Sequence, residues 1–293
     1  NKSSAESRSP MSRMIDTLDE IADAYSVILS DVWGVLHNGV TAFPDAVATL
    51  SRMREQGRTV ILITNAPRPH PSVIAQLLSL GVDESAWDRV ITSGDVTRRL
   101  IEEGPRRVFH LGPDRDTIIY DGLDVELVDY PEAGAIVCTG PFDDETETPE
   151  DYKELLATLR GRNLPFICAN PDIVVERGDR LIWCAGALAR DYAQLGGRTL
   201  IAGKPHRPIY EAALAAAREI VGRDVPASEI LAIGDGVMTD VKGAADNGFD
   251  LLYVTAGIHA HEYAGDNGPD TAKLEAFLGS HGYSPVASIP RLK

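Results

Sequence analysis

The stretch SVILSDVWGVLHNG, residues 26–39, decides how this chain is read. Ser26–Ser30 (SVILS) is a short apolar run bounded by polar residues, the mark of a strand buried on both faces. Asp31 follows at once, a carboxylate at the mouth of that strand. Downstream, Ala46–Gln56 reads as a helix stopped by Gly57, and Thr59–Thr64 (TVILIT) as a second β-branched strand. Ser72–Leu80 is a further helix stopped by Gly81, and Val90–Ser93 a third strand. This strand–helix–strand alternation predicts a parallel sheet with helices on its faces.

The pattern resumes late in the chain. Thr199–Ala202 and Ile230–Ile233 read as strands, Pro208–Val221 as an alanine-rich helix, Met238–Asn247 as a helix and Asp250–Val254 as the last strand. The intervening segment has its own alternation, with strands near Val108–Leu111, Ala135–Thr139 and Phe166–Ala169 and helices near Pro149–Arg160 and Ala185–Leu195. The expected architecture is α/β: a Rossmann-like parallel-sheet core made of residues 15–95 and 197–293, with a second α/β domain, residues 96–196, inserted into it. Residues 1–14 are expected to be a disordered tail or an added remnant, with Met11 as the native start.

Composition narrows the function classes. The chain has 293 residues, 44 Asp and Glu against 28 Lys and Arg, and a formal net charge of -16. Such a field repels nucleic acid and anionic membrane surfaces, so neither is expected as a partner. It does not forbid a phosphorylated small molecule, because a local cation overrides the mean field. No run approaches the roughly 18–20 apolar residues that span a bilayer. Cys138, Cys168 and Cys184 sit in mainly apolar runs without a C-x-x-C pair, which suits buried thiols in a reducing cytoplasm.

Four polar signals fall at predicted strand ends, where parallel sheets collect function. They are Asp31, Thr64-Asn65, Lys204 within Gly203-Lys204-Pro205, and the acids Asp235 and Asp240 of GDGVMTD, residues 234–240. Alone, each has a plainer explanation: a loop aspartate, an Asn-Ala-Pro turn, a surface lysine, a capped helix start. Together they supply a carboxylate nucleophile, groups for phosphoryl oxygens, a positive charge and paired oxygen ligands for a hard cation such as Mg²⁺.

The motifs DVWGVLHNG, LITNA, GKP and GDGVMTD, with CANPD (residues 168–172) and AGALA (185–189) in the insert, resemble the haloacid dehalogenase superfamily. More narrowly, they resemble its class IIA, the NagD-like and 4-nitrophenylphosphatase-like hydrolases with a large α/β (type C2) cap. The resemblance runs from about Ser26 to Ala256. It implies a Mg²⁺-dependent phosphatase acting on a small, sugar-phosphate-like metabolite through an aspartyl-phosphate. Asp31 would be the nucleophile, Thr64 and Asn65 would bind the phosphoryl group, and Lys204 would steady both. Asp31, Asp235, Asp240 and the backbone carbonyl of Trp33 would hold the metal. Caps of that class often mediate pairing, so a homodimer is expected.

The sequence departs from the family pattern at Trp33. The usual motif is D-x-D-G, whose second aspartate protonates the leaving group and then activates water. Indole does no acid–base work, and that work is worth about 10²–10⁴-fold in rate. Three explanations stay open: a leaving group that departs unprotonated, a substitute such as His37, or a protein that binds phospholigands and turns them over poorly. The last is the competing function, a binding or regulatory protein on the same scaffold. Against it stand the intact nucleophile, lysine and paired acids. A nucleotide-dependent oxidoreductase fails because no G-x-G-x-x-G follows the first strand. For substrate contacts within the cap, Asp172, Arg177, Trp183 and Tyr192 are the candidates.

Overall fold

The computed structural model describes residues 13–293. The chain enters on a two-residue strand, Arg13–Met14 (β1), and reaches the buried strand Val27–Ser30 (β2). Pro44–Glu55 (α1), Thr59–Thr64 (β3), His70–Leu80 (α2), Arg89–Thr92 (β4) and Ser93–Glu102 (α3) follow. A second sheet is then built from Arg107–Leu111 (β5), Glu126–Leu127 (β6), Ala135–Cys138 (β7) and Phe166–Cys168 (β8), with Lys153–Gly161 (α4) between the last two. An antiparallel hairpin, Val174–Arg177 (β9) and Arg180–Trp183 (β10), leads into Ala185–Gln194 (α5) and Thr199–Ile201 (β11). The chain closes with Arg207–Val221 (α6), Ile230–Gly234 (β12), Lys242–Asn247 (α7) and Asp250–Val254 (β13). A short ribbon, Ala264–Gly265 (β14) with Gly268–Pro269 (β15), precedes Thr271–Ser280 (α8) and Ala287–Ile289 (β16).

The core sheet has seven strands in the order β1-β16-β13-β12-β2-β3-β4, all parallel. Its central strands read as unbroken apolar runs because both faces are covered. Ile28, Val60 and Leu62 face Leu50 and Met53 of α1 and Leu77 of α2. Val27, Leu29, Ile61 and Ile63, with Leu251 of β13, face Ile209 and Ala213 of α6 on the other side. The helix α6 carries its buried residues at Ile209, Tyr210, Ala213, Ala216 and Ala217, one stripe at helical spacing, and stops at Gly222 in the left-handed conformation. The cap sheet is parallel as well, in the order β11-β8-β7-β5-β6.

Several expectations are corrected. Thr199–Ile201 is not the first strand of the returning core: its Cα partners are Phe166, Ile167 and Cys168, so it forms the edge of the cap sheet. Pairing with β8 decides its place, and the chain returns to the core only after Ile201. The boundary drawn at 95/96 falls inside α3, which touches β4 and α6 of the core and β8 of the cap. Residues 1–12 of the expected tail lie outside the described residues, whereas Arg13–Met14 pair in parallel with β16. The expected helix at Pro149 begins as a 3-10 turn, Pro149–Tyr152, capped by Thr148 and Asp151, before α4 starts. The expected helix at Met238 begins as a π-turn, Val237–Val241. The hairpin β9–β10, the helix α8 and the strand β16 were not read from the sequence.

Candidate active site

Three adjacent strand ends converge. In register, Ile233 of β12 lies opposite Ser30 of β2, and Ser30 opposite Leu62 of β3. The next residues are therefore delivered side by side: Asp31 after β2, Asp235 after β12, and Thr64 and Asn65 at the end of β3. A sheet bond from the Asp31 N–H to the Ile233 carbonyl, 2.8 Å, carries the register to Asp31 itself.

Asp240 reaches back from the π-turn. Its Oδ2 accepts from the backbone N–H groups of Asp235 (3.2 Å) and Gly236 (3.1 Å). This inward pull accounts for a widened first turn, a feature that recurs at functional sites. Oxygen atoms of Asp31, Asp235 and Asp240 all lie within 4.8 Å of one another. Asp235 is fixed by an N–H from Ile258 to its Oδ2, 3.0 Å.

Lys204 supplies the countercharge. Its Nζ donates to Asp31 Oδ1 at 2.8 Å, to Asp240 Oδ1 at 2.7 Å and to the Ile63 carbonyl at 3.1 Å, which uses all three ammonium protons. Burial alone would strip the proton from this lysine, but Asp240 and Asp31 outweigh it and hold the ammonium well above its ordinary value. Burial pushes the Asp31 carboxyl up to about 7; Lys204 opposes the rise and Asp235 adds to it. Asp235 and Asp240 are raised by burial and then by neighbouring carboxylates. Three buried carboxylates against one ammonium leave excess negative charge in a place of low dielectric. A hard divalent cation with oxygen ligands fits that donor set.

Lys204 arrives from the cap edge, and Asn65 locks it in place. The Lys204 N–H donates to Asn65 Oδ1 (2.8 Å), while Asn65 Nδ2 donates to the Lys204 carbonyl (3.1 Å) and to Asp172 Oδ1 (2.9 Å). Both amide protons are thereby used on Lys204 and on the cap. Gly203 permits this contact, since a Cβ there would lie 2.6 Å from Ser93 Oγ and 2.8 Å from Asn65 Oδ1. Thr64 is buried at the same end of β3, its Oγ1 accepting from the Ala66 N–H at 3.2 Å.

Trp33 occupies the loop beyond Asp31 and packs against the core cluster of β2 and α1. Its indole stands edge-on to the His37 ring, centroids 4.9 Å apart. Gly39, at φ +85°, lies under the ring: a Cβ there would come within 2.4 Å of Cζ3. His37 is neither cap-facing nor solvent-facing. It is 1% exposed, and its Nδ1 accepts from the Gly39 N–H at 2.8 Å. Burial lowers its pKa to about 4, so it is a neutral pin for the loop. The wall of the cavity beside Asp31 does not include it.

That cavity, about 520 Å³, lies between core and cap. Asp172, Arg177 and Trp183 line it as expected; Tyr192 does not, being fully buried in the cap core and donating to the Leu164 carbonyl. Arg68 and Asp116 also line it, and neither was picked out from sequence. The hairpin β9–β10 brings Glu176, Arg177, Ile182 and Trp183 to the wall, and its tip docks on the Trp33 loop through Gly178 N–H to the Asn38 carbonyl, 2.9 Å. A signal for it existed: VVER and RLIW flank Gly178-Asp179, a dipeptide suited to a two-residue hairpin turn.

Comparison with known proteins gives the family. Residues 28–126 match the haloacid dehalogenase-like hydrolase family, and residues 201–274 match a second family of the same kind. A crystal structure of a haloacid dehalogenase-like hydrolase from Brucella suis 1330 is 62% identical, covers 96% of this chain and 100% of its own, and superposes with a TM-score of 0.87. The acid sugar phosphatase of Staphylococcus saprophyticus is 28% identical over 248 residues, 81% of this chain and 89% of its own length. NagD from E. coli K-12 shares the fold at 18% identity and TM-score 0.63, over 92% of this chain and 97% of its own. The chain belongs to the haloacid dehalogenase-like hydrolases. Within them it is an enzyme of the phosphatase type, with a NagD-like core and cap.

Proposed function

We propose that this protein hydrolyses a small phosphorylated metabolite, about the size of a sugar phosphate, through an aspartyl-phosphate on Asp31, with Mg²⁺ as its cation. The observation that carries the reading is the contact of Lys204 Nζ with both Asp31 (2.8 Å) and Asp240 (2.7 Å) inside a buried carboxylate cluster. Asp31, Asp235 and Asp240, with the Trp33 carbonyl, would hold the cation, which when bound neutralises phosphoryl oxygens during transfer.

Asp31 is placed to attack phosphorus as a carboxylate, because Lys204 favours its ionised form. Thr64 presents a hydroxyl to a phosphoryl oxygen. Asn65 positions Lys204, its amide protons being engaged by Lys204 and Asp172. The cap excludes water during transfer. The acid sugar phosphatase among the relatives supports a small phosphorylated substrate. The described residues contain no helix long and apolar enough to cross a membrane, and three free buried cysteines suit the cytoplasm.

The test is phosphate release with and without Mg²⁺ from sugar phosphates, an aryl phosphate and acetyl phosphate, with Asp31→Asn as control. Loss of all release in the variant is expected. Unchanged release would refute the covalent mechanism, and Mg²⁺ binding without turnover on any compound would favour the phospholigand-binding reading.

A further inference from the structure

We propose that Asp116 and Arg68 are specificity-determining residues, which hold the end of the substrate remote from phosphorus through its hydroxyl groups and select for an end without charge. This rests on the phosphatase reading above and deepens it: the site gains a second pole, built jointly by cap and core.

The cap sheet places the first half. β5 and β7 are parallel neighbours with Leu111 opposite Cys138, and the Thr139 N–H continues the ladder to the Leu111 carbonyl at 2.9 Å. Gly112 and Thr139 therefore stand side by side at the carboxyl ends of the cap strands, where parallel sheets collect ligands. Gly112 leaves the room, since a Cβ there would lie 1.9 Å from Thr139 Oγ1. The 3-10 turn Asp114–Tyr120 then brings Asp116 next to Thr139. Both side chains are 3% exposed, and both residues line the cavity. Asp116 forms no ion pair among the described residues; its neighbour Arg115 turns to Asp144 instead. The Thr139 hydroxyl adjoins Asp116 outside hydrogen-bonding geometry and is buried without a partner. Buried polar groups left open in this way are rare, and a ligand with a donor of its own satisfies them.

The core supplies the other half. Arg68 lies on the loop between β3 and α2, four residues beyond Thr64. Its backbone is fixed: the carbonyl accepts from Thr92 Oγ1 at 2.7 Å, and Gly94 packs so closely that a Cβ there would lie 2.4 Å from the same oxygen. The guanidinium donates to Ser72 Oγ at 3.0 Å and to Gln76 Oε1 at 2.6 Å, which leaves N–H groups to spare. It has no ion pair among the described residues. Burial lowers its pKa and the charge of Asp116 opposes that, so the two groups feel each other across the cavity without touching.

A further charge has no place at this pole. Arg68, Arg115 and Arg177 are matched by Asp116, Asp144 and Glu145: Arg115 and Arg177 share Asp144, and Arg177 lies 3.7 Å from Glu145. A carboxylate or ammonium brought between them would stay unmatched where water is scarce. A hydroxyl donates to Asp116 and accepts from Arg68, which suits both. Glu176, His206 and Arg291 line the same cavity without a carboxylate–cation pair, but each is at least partly exposed, so water serves them.

The experiment compares erythritol 4-phosphate, n-butyl phosphate and 4-phosphooxybutanoate, esters of equal chain length that end in hydroxyls, in methyl and in carboxylate. It reads kcat/KM with Mg²⁺ for the wild type, Asp116→Asn and Arg68→Gln, and Kd by calorimetry in Asp31→Asn. The wild type should prefer the erythritol ester to each of the others by about 10–100-fold, the scale of hydrogen bonds to charged groups. Each variant should cut that preference by about tenfold or more. Equal constants for the erythritol and butyl esters in the wild type, or a preference for the carboxylate, would overturn the proposal. So would variants that weaken all the esters alike, the mark of a structural role. The wild-type comparison needs no variant, so it decides the question even if both substitutions misfold. A preference for the erythritol ester in Kd, with no phosphate released by the wild type from any ester or from acetyl phosphate, would overturn the phosphatase reading and leave this inference standing.

Discussion

The side chain of Asn65 clamps the backbone of Lys204, 139 residues further along the chain: its Oδ1 accepts from the Lys204 N–H at 2.8 Å and its Nδ2 donates to the Lys204 carbonyl at 3.1 Å. Through this clamp the end of β3 sets where the cap edge delivers Lys204. The same Nδ2 reaches Asp172 of the cap, so one amide ties three parts of the site together.

Replacing that amide should therefore act through Lys204. Asn65→Asp keeps an acceptor for the Lys204 N–H but removes both donated hydrogens and sets a carboxylate beside Asp172. The expected outcome is a loss of about 100-fold in kcat/KM, the scale of a 1 Å misplacement of a catalytic group, and about 1–3 kcal/mol of stability from acceptors left unpaired. Phosphate-release kinetics and denaturant unfolding check both; a normal kcat/KM would show that Lys204 holds its place without the clamp.

Cation binding should depend on pH in a defined direction. Without a cation, the Asp31 carboxyl is raised to about 7, above its ordinary value. Between about 4 and 7 the folded form thus holds a proton that the unfolded form has released, and this group's contribution to stability falls as pH rises through that window. A bound cation reverses the balance, because its ligands must be ionised. The rise in Tm on adding Mg²⁺ should be larger at pH 8 than at pH 5. Equal shifts at the two values would argue against these carboxylates as ligands.

His37 gives the opposite pH signature. Its pKa falls from 6.5 unfolded to about 4 folded, because burial disfavours the charged ring. The unfolded chain binds the extra proton between those values, so stability is lost as pH drops from about 6.5 to 4, by about 3 kcal/mol in all. His37→Asn, which retains an acceptor for the Gly39 N–H, should flatten this stretch of the stability–pH curve. An unchanged slope would place the acid sensitivity elsewhere.

The seat of the indole can be tested by coupling. Gly39→Ala adds a Cβ at φ +85° within 2.4 Å of the Trp33 ring. It should cost about 2–4 kcal/mol from left-handed strain and overpacking together. Trp33→Leu should relieve the packing part, so that the double variant loses less than the sum of the two by about 1 kcal/mol or more. Strict additivity would mean that the ring moves freely.

Much of this was legible in the residues themselves. Apolar runs such as TVILIT are strands because β-branched side chains buried on both faces leave no other stable place for them, and residues at the carboxyl ends of parallel strands converge whatever their separation in sequence. Asp31, Thr64, Asn65, Asp235 and Asp240 could therefore be singled out from local pattern. Helix starts and stops were legible wherever proline or glycine fixed them. What the sequence could not determine was which sheet a short run joins, since Thr199–Ile201 suits either and its place is set by pairing with β8. Nor could it fix the direction of a side chain: His37 turned inward to hold its own loop, Tyr192 went into the cap core, and the amide of Asn65 went to Lys204 and Asp172. Local sequence sets propensity and pattern over a few residues; the partners of a polar group are set by contacts between segments a hundred or more residues apart, which exist only once the chain is packed.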